Sequence, residues 1–272
     1  MSSLQDKESV LRSVVRSYEK MAIAFSGGVD STLLLYVAYE ELNNNVVALT
    51  SYVPMTSESE IIEAQEMCRN LGIQQILCEP DVLSIDEVRM NDPKRCYFCK
   101  AALFGAMKQE ANKQGFIYIA DGTNVDDLAD YRPGMKAIQE LEIVSPFLEA
   151  GFTKDDIRSL SKELGLSTWD KQSNACLATR FPYGKELSSD LLRKIDEAEN
   201  AIHALGFNQV RVRVHDDVVR LELNVSDFSL FLDDNLRNEV LSILQMCGFT
   251  YVTLDLEGFR SGSMNASIKG HK

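Results

Sequence analysis

The segment Ser26-Gly27-Gly28-Val29-Asp30-Ser31-Thr32 gathers three hydroxyls, a carboxylate and two glycines between an apolar run (Met21 to Phe25) and a second apolar run (Leu33 to Leu42). Two glycines let the backbone approach a ligand and turn its N–H groups toward it. A helix starting here adds unpaired N–H donors and the positive end of its dipole. Such a turn binds anions, most naturally phosphate. Ser26, Ser31 and Thr32 supply hydroxyl donors, and Asp30 can hold a magnesium ion that neutralises phosphates. No lysine follows the glycines, so the Walker spacing is absent.

Other side chains carry further chemistry. Cys96-Tyr97-Phe98-Cys99-Lys100 presents two thiols three residues apart. Such a pair is a helix-start turn with incidental thiols, a redox dithiol, or two ligands of a metal group. Structural zinc would need two more ligands, and His203, His215 and His271 are scattered without ligand spacing. With Cys176 as a third thiolate the set suits an iron–sulfur cluster with one iron left open. Lys100 is either a phosphate ligand or a solvated cation. Cys176 lies four residues before Arg180, whose charge would favour a thiolate. Cys68, Cys78 and Cys247 sit in apolar contexts and read as structural thiols. Arg211 and Arg213 alternate with Val210, Val212 and Val214, so on a strand they share one face. With Arg180 they could bind a phosphate or carboxylate through forked hydrogen bonds, or simply face solvent. The loop Asp121-Gly122-Thr123-Asn124-Val125-Asp126-Asp127 taken alone reads as a turn.

These groups need a scaffold. Apolar runs at Met21–Phe25, Val46–Ser51, Gln74–Cys78, Phe116–Asp121 and 142–146 predict strands. Helical patterns near 31–42, 57–71, 99–114 and 132–141 fall between them, Ser57 and Glu60 forming a capping-box pattern. Alternation of this kind predicts a parallel sheet flanked by helices, with ligands at the carboxyl ends of the strands. Another helix, 153–164, is capped by Thr153. The remainder changes style. A helix (188–205), a hairpin (209–214 and 218–223 joined through His215-Asp216-Asp217), a helix (229–247) and a strand (250–256) predict a smaller α+β unit. The expected fold is therefore α/β with a C-terminal α+β domain, divided as residues 1–182 and 183–272.

Composition is that of a globular protein, and no apolar stretch reaches the roughly 20 residues of a membrane span. The first 20 residues lack a secretory pattern, so the chain reads as cytoplasmic and independent of membranes. The 28 basic residues against 41 acidic ones leave a net charge of −13, a poor footprint for nucleic acid.

The Ser26–Thr32 segment resembles the PP-loop of the ATP pyrophosphatases, adenine nucleotide alpha hydrolase-like proteins. That resemblance implies ATP and magnesium, with the α-phosphate attacked and pyrophosphate leaving. It also gives Asp121, Gly122, Thr123 and Asp127 a second reading, since they resemble the Gly-Thr-Asn…Asp-Asp region beside nucleotide and magnesium. The stretch Gly258-Phe259-Arg260-Ser261-Gly262-Ser263-Met264-Asn265 by itself adds a cation in a flexible Gly/Ser setting. Through Ser26–Thr32 together with Tyr131-Arg132-Pro133-Gly134-Met135-Lys136, the Cys176 loop with Arg180-Phe181-Pro182-Tyr183-Gly184, Val210-Arg211-Val212-Arg213, and Tyr251–Leu256 through Gly258-Phe259-Arg260-Ser261-Gly262, the chain resembles the LarE family, ATP-dependent sulfur transferases of nickel-pincer nucleotide synthesis. The resemblance implies adenylation of the carboxylates of pyridinium-3,5-biscarboxylic acid mononucleotide and their conversion to thiocarboxylates. It matches Cys176 to the thiol that meets the acyl-adenylate, and Arg180, Glu199, Arg211 and Arg213 to the substrate site. In sacrificial members only the residue matching Cys176 is used, and it ends as dehydroalanine. Here Cys96 and Cys99 resemble the branch in which three thiolates hold a [4Fe–4S] cluster and its unique iron carries a sulfide from a sulfur donor. The resemblance also implies a homo-oligomer, with a hexamer as the suggested form. Rival enzyme readings are a tRNA thiolase and an amide ligase, the latter lacking an ammonia source. A rival from outside enzymes is a nucleotide sensor.

Overall fold

The computed structural model describes residues 3–129, 133–172, 174–260 and 264. Tyr131, Arg132, Ser261, Gly262, Ser263, Asn265 and His271, named above, lie outside the described residues. The chain forms two compact units. One comprises Met1–Ile85 with Lys94–Asn174, the other Asp86–Pro93 with Ala175–Lys272.

In chain order the elements begin with α1 (Leu4–Ser17), β1 (Met21–Ala24), α2 (Val29–Leu42), β2 (Val46–Ser51), α3 (Glu58–Leu71) and β3 (Gln75–Cys78). They continue with α4 (Asp86–Arg89), α5 (Arg95–Lys113), β4 (Tyr118–Ala120), α6 (Pro133–Glu140), α7 (Pro146–Glu149) and α8 (Lys154–Glu163). The last elements are α9 (Ser189–Ala204), β5 (Val210–His215), β6 (Val218–Leu223), α10 (Asp234–Met246) and β7 (Tyr251–Leu254).

The first unit is a parallel four-stranded sheet in the order β3-β2-β1-β4. Both faces are covered, as its near-continuous apolar strands require. Met21, Ile23, Val46, Ala48 and Ala120 pack on one side with Leu33, Leu34 and Leu160. Their strand neighbours Ala22, Val47, Leu49 and Ile119 pack on the other with Phe104, Met107 and Ile138. This two-residue alternation follows from the pleat. Helix α2 is buried around most of its circumference. It therefore shows little amphipathic pattern and forms the central layer against β1 and β2.

Three expectations are corrected here. The run at 142–146 is not a full strand: Val144 makes an isolated bridge to Ala120, and Pro146 starts α7. Glu142 has φ of 56°, and Pro146 has no N–H to extend a ladder. Ser57 is the N-cap of α3 but makes no side-chain capping bond, its hydroxyl lying 2.8 Å from the Ser59 hydroxyl instead. The polar start of the chain, assigned to no element from its pattern, is α1, closed by a Ser3–Asp6 capping box and buried through Leu11 and Val15. Thr153 does cap α8, in a reciprocal box with Asp156.

The second unit contains a three-stranded sheet, order β5-β6-β7, with β5 antiparallel to β6 and β6 parallel to β7. Residues 225–232 wind as a 3-10 helix, and Asp233 then caps α10, so the α-helix starts later than the sequence pattern predicts. Among the described residues no helix is long and apolar enough to cross a membrane.

Candidate active site

Strand order decides where a ligand can enter. The chain lays β1, β2 and β3 outward in one direction and then places β4 on the other flank of β1. Loops leaving β1 and β4 diverge at that switch point and open a crevice at the carboxyl ends. A cleft of about 310 Å³ lies there, lined by Ser26, Asp30, Ser31, Lys100, Asp121, Gly122, Thr123 and Asp127. Residues separated by about a hundred positions thus line one cleft because β1 and β4 pair in register.

The turn after β1 is built to receive an anion. Gly28 is the N-cap of α2 and makes no side-chain capping bond, which leaves first-turn N–H groups for a ligand. Gly27 has φ of 69°, a conformation glycine adopts without a Cβ penalty. The Ser31 hydroxyl braces the turn at 3.3 Å from the Ser26 N–H, 3.2 Å from the Ser26 hydroxyl and 3.3 Å from the Gly28 carbonyl. The Thr32 hydroxyl is directed elsewhere, to the Met67 sulfur at 3.5 Å, and the Thr32 N–H donates to Gly28 O inside the helix.

Opposite the turn, Asp121 organises its own loop. Its carboxylate accepts from the Thr123 N–H at 3.2 Å, the Thr123 hydroxyl at 2.5 Å and the Ser145 hydroxyl at 2.7 Å. Asp127 caps the same loop by accepting from the Asn124 N–H. Gly122 is pressed against α2: a Cβ there would lie 2.8 Å from Asp30 Cβ and 3.3 Å from the Ser31 nitrogen. Gly122→Ala must therefore push the loop away from the turn. We expect it to weaken ATP binding about tenfold and cost roughly 1–3 kcal/mol of stability by overpacking. Gly105→Ala on α5, where nothing lies within 4 Å of the added carbon, should bind ATP normally. Calorimetric ATP titration and melting curves of both variants check this.

Lys100 points into the cleft from the first turns of α5, and its stem runs against Gly134 of α6. A Cβ at Gly134 would stand 2.6 Å from Lys100 Cδ. One lysine that sequence reasoning missed also matters. Lys154 Nζ donates to Asp30 Oδ2 at 2.5 Å, while its backbone N–H donates to Asp126 at 2.7 Å. It opens α8, 124 positions from Asp30, and no local pattern announces the pair.

Magnesium fits these residues. Asp30 Oδ1 is buried and has no hydrogen-bond partner, and Asp127 lines the same cleft. Magnesium takes hard oxygen ligands, often one or two carboxylates together with substrate phosphates. Among the described residues no three His, Cys, Asp or Glu side chains gather into a metal-binding group.

All six cysteines are thiols. Cys96 and Cys99 lie on the first turn of α5, three residues apart and hence on one face, Cys96 exposed and Cys99 half-buried. Soft sulfur ligands of this kind are what iron–sulfur groups take, and two of them make only part of a ligand set. Burial pushes the Cys68 thiol up to about 12 and the Cys78 thiol up to about 11, which makes both inert packing groups. Cys247 is half-buried, its thiol also raised by burial.

In the second unit Cys176 is exposed just before a 3-10 turn, Leu177–Arg180. Arg180 anchors that turn. Its Nη1 donates to the Ala175 carbonyl at 2.6 Å and lies 3.3 Å from the Cys176 carbonyl, while Nε and Nη2 fork onto Glu199 at 3.0 and 2.8 Å. Glu199 also accepts from the Val212 N–H at 2.8 Å. Arg211 and Arg213 do share a face of β5, but that face is buried, the two residues being 3% and 4% exposed. Arg213 forks onto Glu222 at 3.1 and 3.0 Å and donates to the Thr179 carbonyl at 2.8 Å. The Arg211 guanidinium sits 5.3 Å from the Phe259 ring centre. The Arg180 and Arg213 forks are thus engaged by glutamates of the same unit, a pairing that the alternating pattern alone does not reveal.

A glycine turn without a Walker lysine, at the switch point of a parallel sheet, is a phosphate site of the ATP pyrophosphatase kind. The chain matches the PP-loop domain family over residues 4–180. It is 37% identical over 272 residues to the pyridinium-3,5-bisthiocarboxylic acid mononucleotide synthase of Lactiplantibacillus plantarum, covering 98% of this chain and 97% of that one. It is 40% identical to an uncharacterized protein of a Synechocystis strain, over 96% and 98% of the two chains. A tRNA-specific 2-thiouridylase of Desulforamulus reducens is 24% identical over 56% of this chain and 53% of its own. The chain belongs to the PP-loop ATP pyrophosphatases and, within them, to the LarE family of ATP-dependent sulfur transferases.

Proposed function

We propose that this enzyme adenylates the carboxylates of pyridinium-3,5-biscarboxylic acid mononucleotide and converts them to thiocarboxylates, the nickel-pincer nucleotide precursor. The observation that carries the reading is near full-length identity with a synthase of the bisthiocarboxylic product, joined to an ATP-type phosphate turn. In the first step a substrate carboxylate oxygen attacks the α-phosphorus, the bond to the bridging oxygen breaks, and pyrophosphate leaves. Ser26, Gly27, Gly28, Ser31 and Lys100 bind the phosphates, Thr32 closes the first turn of α2 behind them, Asp121, Gly122 and Thr123 shape the opposite wall, and Asp30 and Asp127 would hold magnesium. Adenylation is needed because a carboxylate is a poor electrophile until one oxygen becomes a leaving group. In the second step a sulfur nucleophile attacks the acyl carbon, the C–O bond breaks, and AMP departs with the electron pair.

Cys96, Cys99 and Cys176 would hold a [4Fe–4S] cluster, which supplies a replaceable sulfide at its open iron. Support comes from three exposed or half-exposed thiols, two of them on one helical turn. Arg180 and Glu199 orient the Cys176 loop, and Arg213 braces the same loop through the Thr179 carbonyl; Arg211 and Arg213 would meet a phosphorylated, carboxylated substrate only if it displaced their present contacts. The proposal includes a homo-oligomer, for which exposed Leu232, Met246 and Leu256 offer apolar surface.

The test supplies ATP, magnesium, hydrosulfide and the pyridinium biscarboxylate mononucleotide to the anaerobic protein. Pyrophosphate release that depends on the mononucleotide, with a product whose mass shows oxygen replaced by sulfur, supports the reading. Pyrophosphate release that depends instead on tRNA would assign a tRNA thiolase.

A further inference from the structure

Lys171 belongs to none of the motifs that identify the site, yet it touches the phosphate turn. Its Nζ donates to the Gly27 carbonyl at 3.1 Å and to Glu63 Oε2 on α3 at 2.6 Å. We propose that Lys171 is a positioning residue for the phosphate-binding turn, holding the Gly27 carbonyl so that the Gly28 N–H is aimed at the nucleotide.

The argument rests on peptide geometry. Across a trans peptide the carbonyl of one residue and the N–H of the next point in opposite directions. Fixing the Gly27 carbonyl on one side therefore fixes the Gly28 N–H on the other. The turn needs such help, because glycines at 27 and 28 leave its backbone with more freedom than any other pair of residues. An anion site gains from donors already aimed where charge will sit.

Lys171 is itself held. Its N–H donates to the Thr168 carbonyl at 3.0 Å. Arg158 of α8 donates to the Trp169 carbonyl at 2.7 Å and to the Lys171 carbonyl at 2.9 Å, while Lys162 lies 4.5 Å from the Trp169 ring centre. Arg158 thus splints the segment 169–171 and makes Lys171 a strut rather than a loose surface cation. Lys171 also acts from outside the nucleotide cleft: it lines a separate cavity of about 670 Å³ that shares no lining residue with the cleft. An exposed Lys–Glu pair alone contributes little. The bond to Gly27 is what gives this one a role.

The inference depends on ATP use by the turn and not on which acyl group is adenylated, so ATP binding to the full chain is the measurement. Calorimetric titration with magnesium–ATP compares wild type, Lys171→Met and Lys171→Arg. Lys171→Met should raise the Kd about tenfold to a hundredfold, the range for one charge-assisted hydrogen bond, with the melting temperature of the ligand-free protein nearly unchanged. Lys171→Arg, which keeps a charged donor, should recover most of the affinity. Wild-type affinity in Lys171→Met overturns the proposal. It is equally overturned if affinity falls only together with the melting temperature and arginine rescues neither.

Discussion

Reconstituted without oxygen, the Cys96→Ala protein is expected to lose bound iron and multiple turnover while still forming pyrophosphate from ATP and the mononucleotide. Wild-type protein should carry about four irons per chain. In the proposed reaction the two half-reactions use different groups: adenylation would depend on the turn after β1, sulfur transfer on the thiols. Removing one thiolate of the proposed three would leave the cluster with two protein ligands, while the Ser26–Thr32 turn and its bracing bonds stay intact. Cys99→Ala should behave alike, and Cys176→Ala should also stop product formation. The alternative, in which Cys176 surrenders its own sulfur, makes the opposite forecast for the first two variants. There Cys96→Ala would give one thiocarboxylate per chain at the wild-type rate, and mass spectrometry would find dehydroalanine at position 176. That result would sink the cluster assignment and leave adenylation untouched.

Glu199→Ala is expected to be the most destabilising single substitution near the candidate sulfur site. Arg180 and Glu199 are 4% and 6% exposed as side chains, and Glu199 also satisfies the Val212 N–H. Deleting the carboxylate strands a buried guanidinium and a backbone donor together. Breaking a buried pair from one side typically costs about 3–5 kcal/mol, which lowers the melting temperature by roughly 10–20 °C in a unit of this size. The loss should extend to chemistry, because Arg180 is the anchor of the Ala175 and Cys176 carbonyls. Arg193–Glu197 on the same helix is the control. Both of its side chains are exposed, so Glu197→Ala should leave the melting curve where it is. Thermal unfolding of the two variants, with product formation in parallel, decides the matter. A Glu199→Ala protein that melts with wild type would show that the pair contributes nothing net.

Local chemistry makes much of this protein legible in its sequence. Phosphate recognition at Ser26–Thr32 is written in consecutive residues because strand, turn and helix start are all short-range structures. The continuous apolar run along Val46–Ser51 declares a strand covered on both faces, and Thr153 declares a helix start. The run at 142–146 misled for the same reason: its apolar residues suit a strand, but the positive φ at Glu142 and the ring of Pro146 limit pairing to one bridge. The polar face of α1 hid a helix whose stability comes from packing Leu11 and Val15 rather than from its own pattern.

The tertiary structure alone decided who neutralises whom. Asp30 meets Lys154, Gly27 meets Lys171, Arg180 meets Glu199 and Arg213 meets Glu222, at separations from 9 to 144 residues. Strand period alone puts Arg211 and Arg213 on one face; that this face is buried, with Arg213 forked onto Glu222 of β6, is decided by the sheet. Hydrophobic period and turn chemistry act over a few residues, so one sequence displays them. Burial desolvates a charge only after distant segments close over it, and the partner that then satisfies it is chosen by the fold.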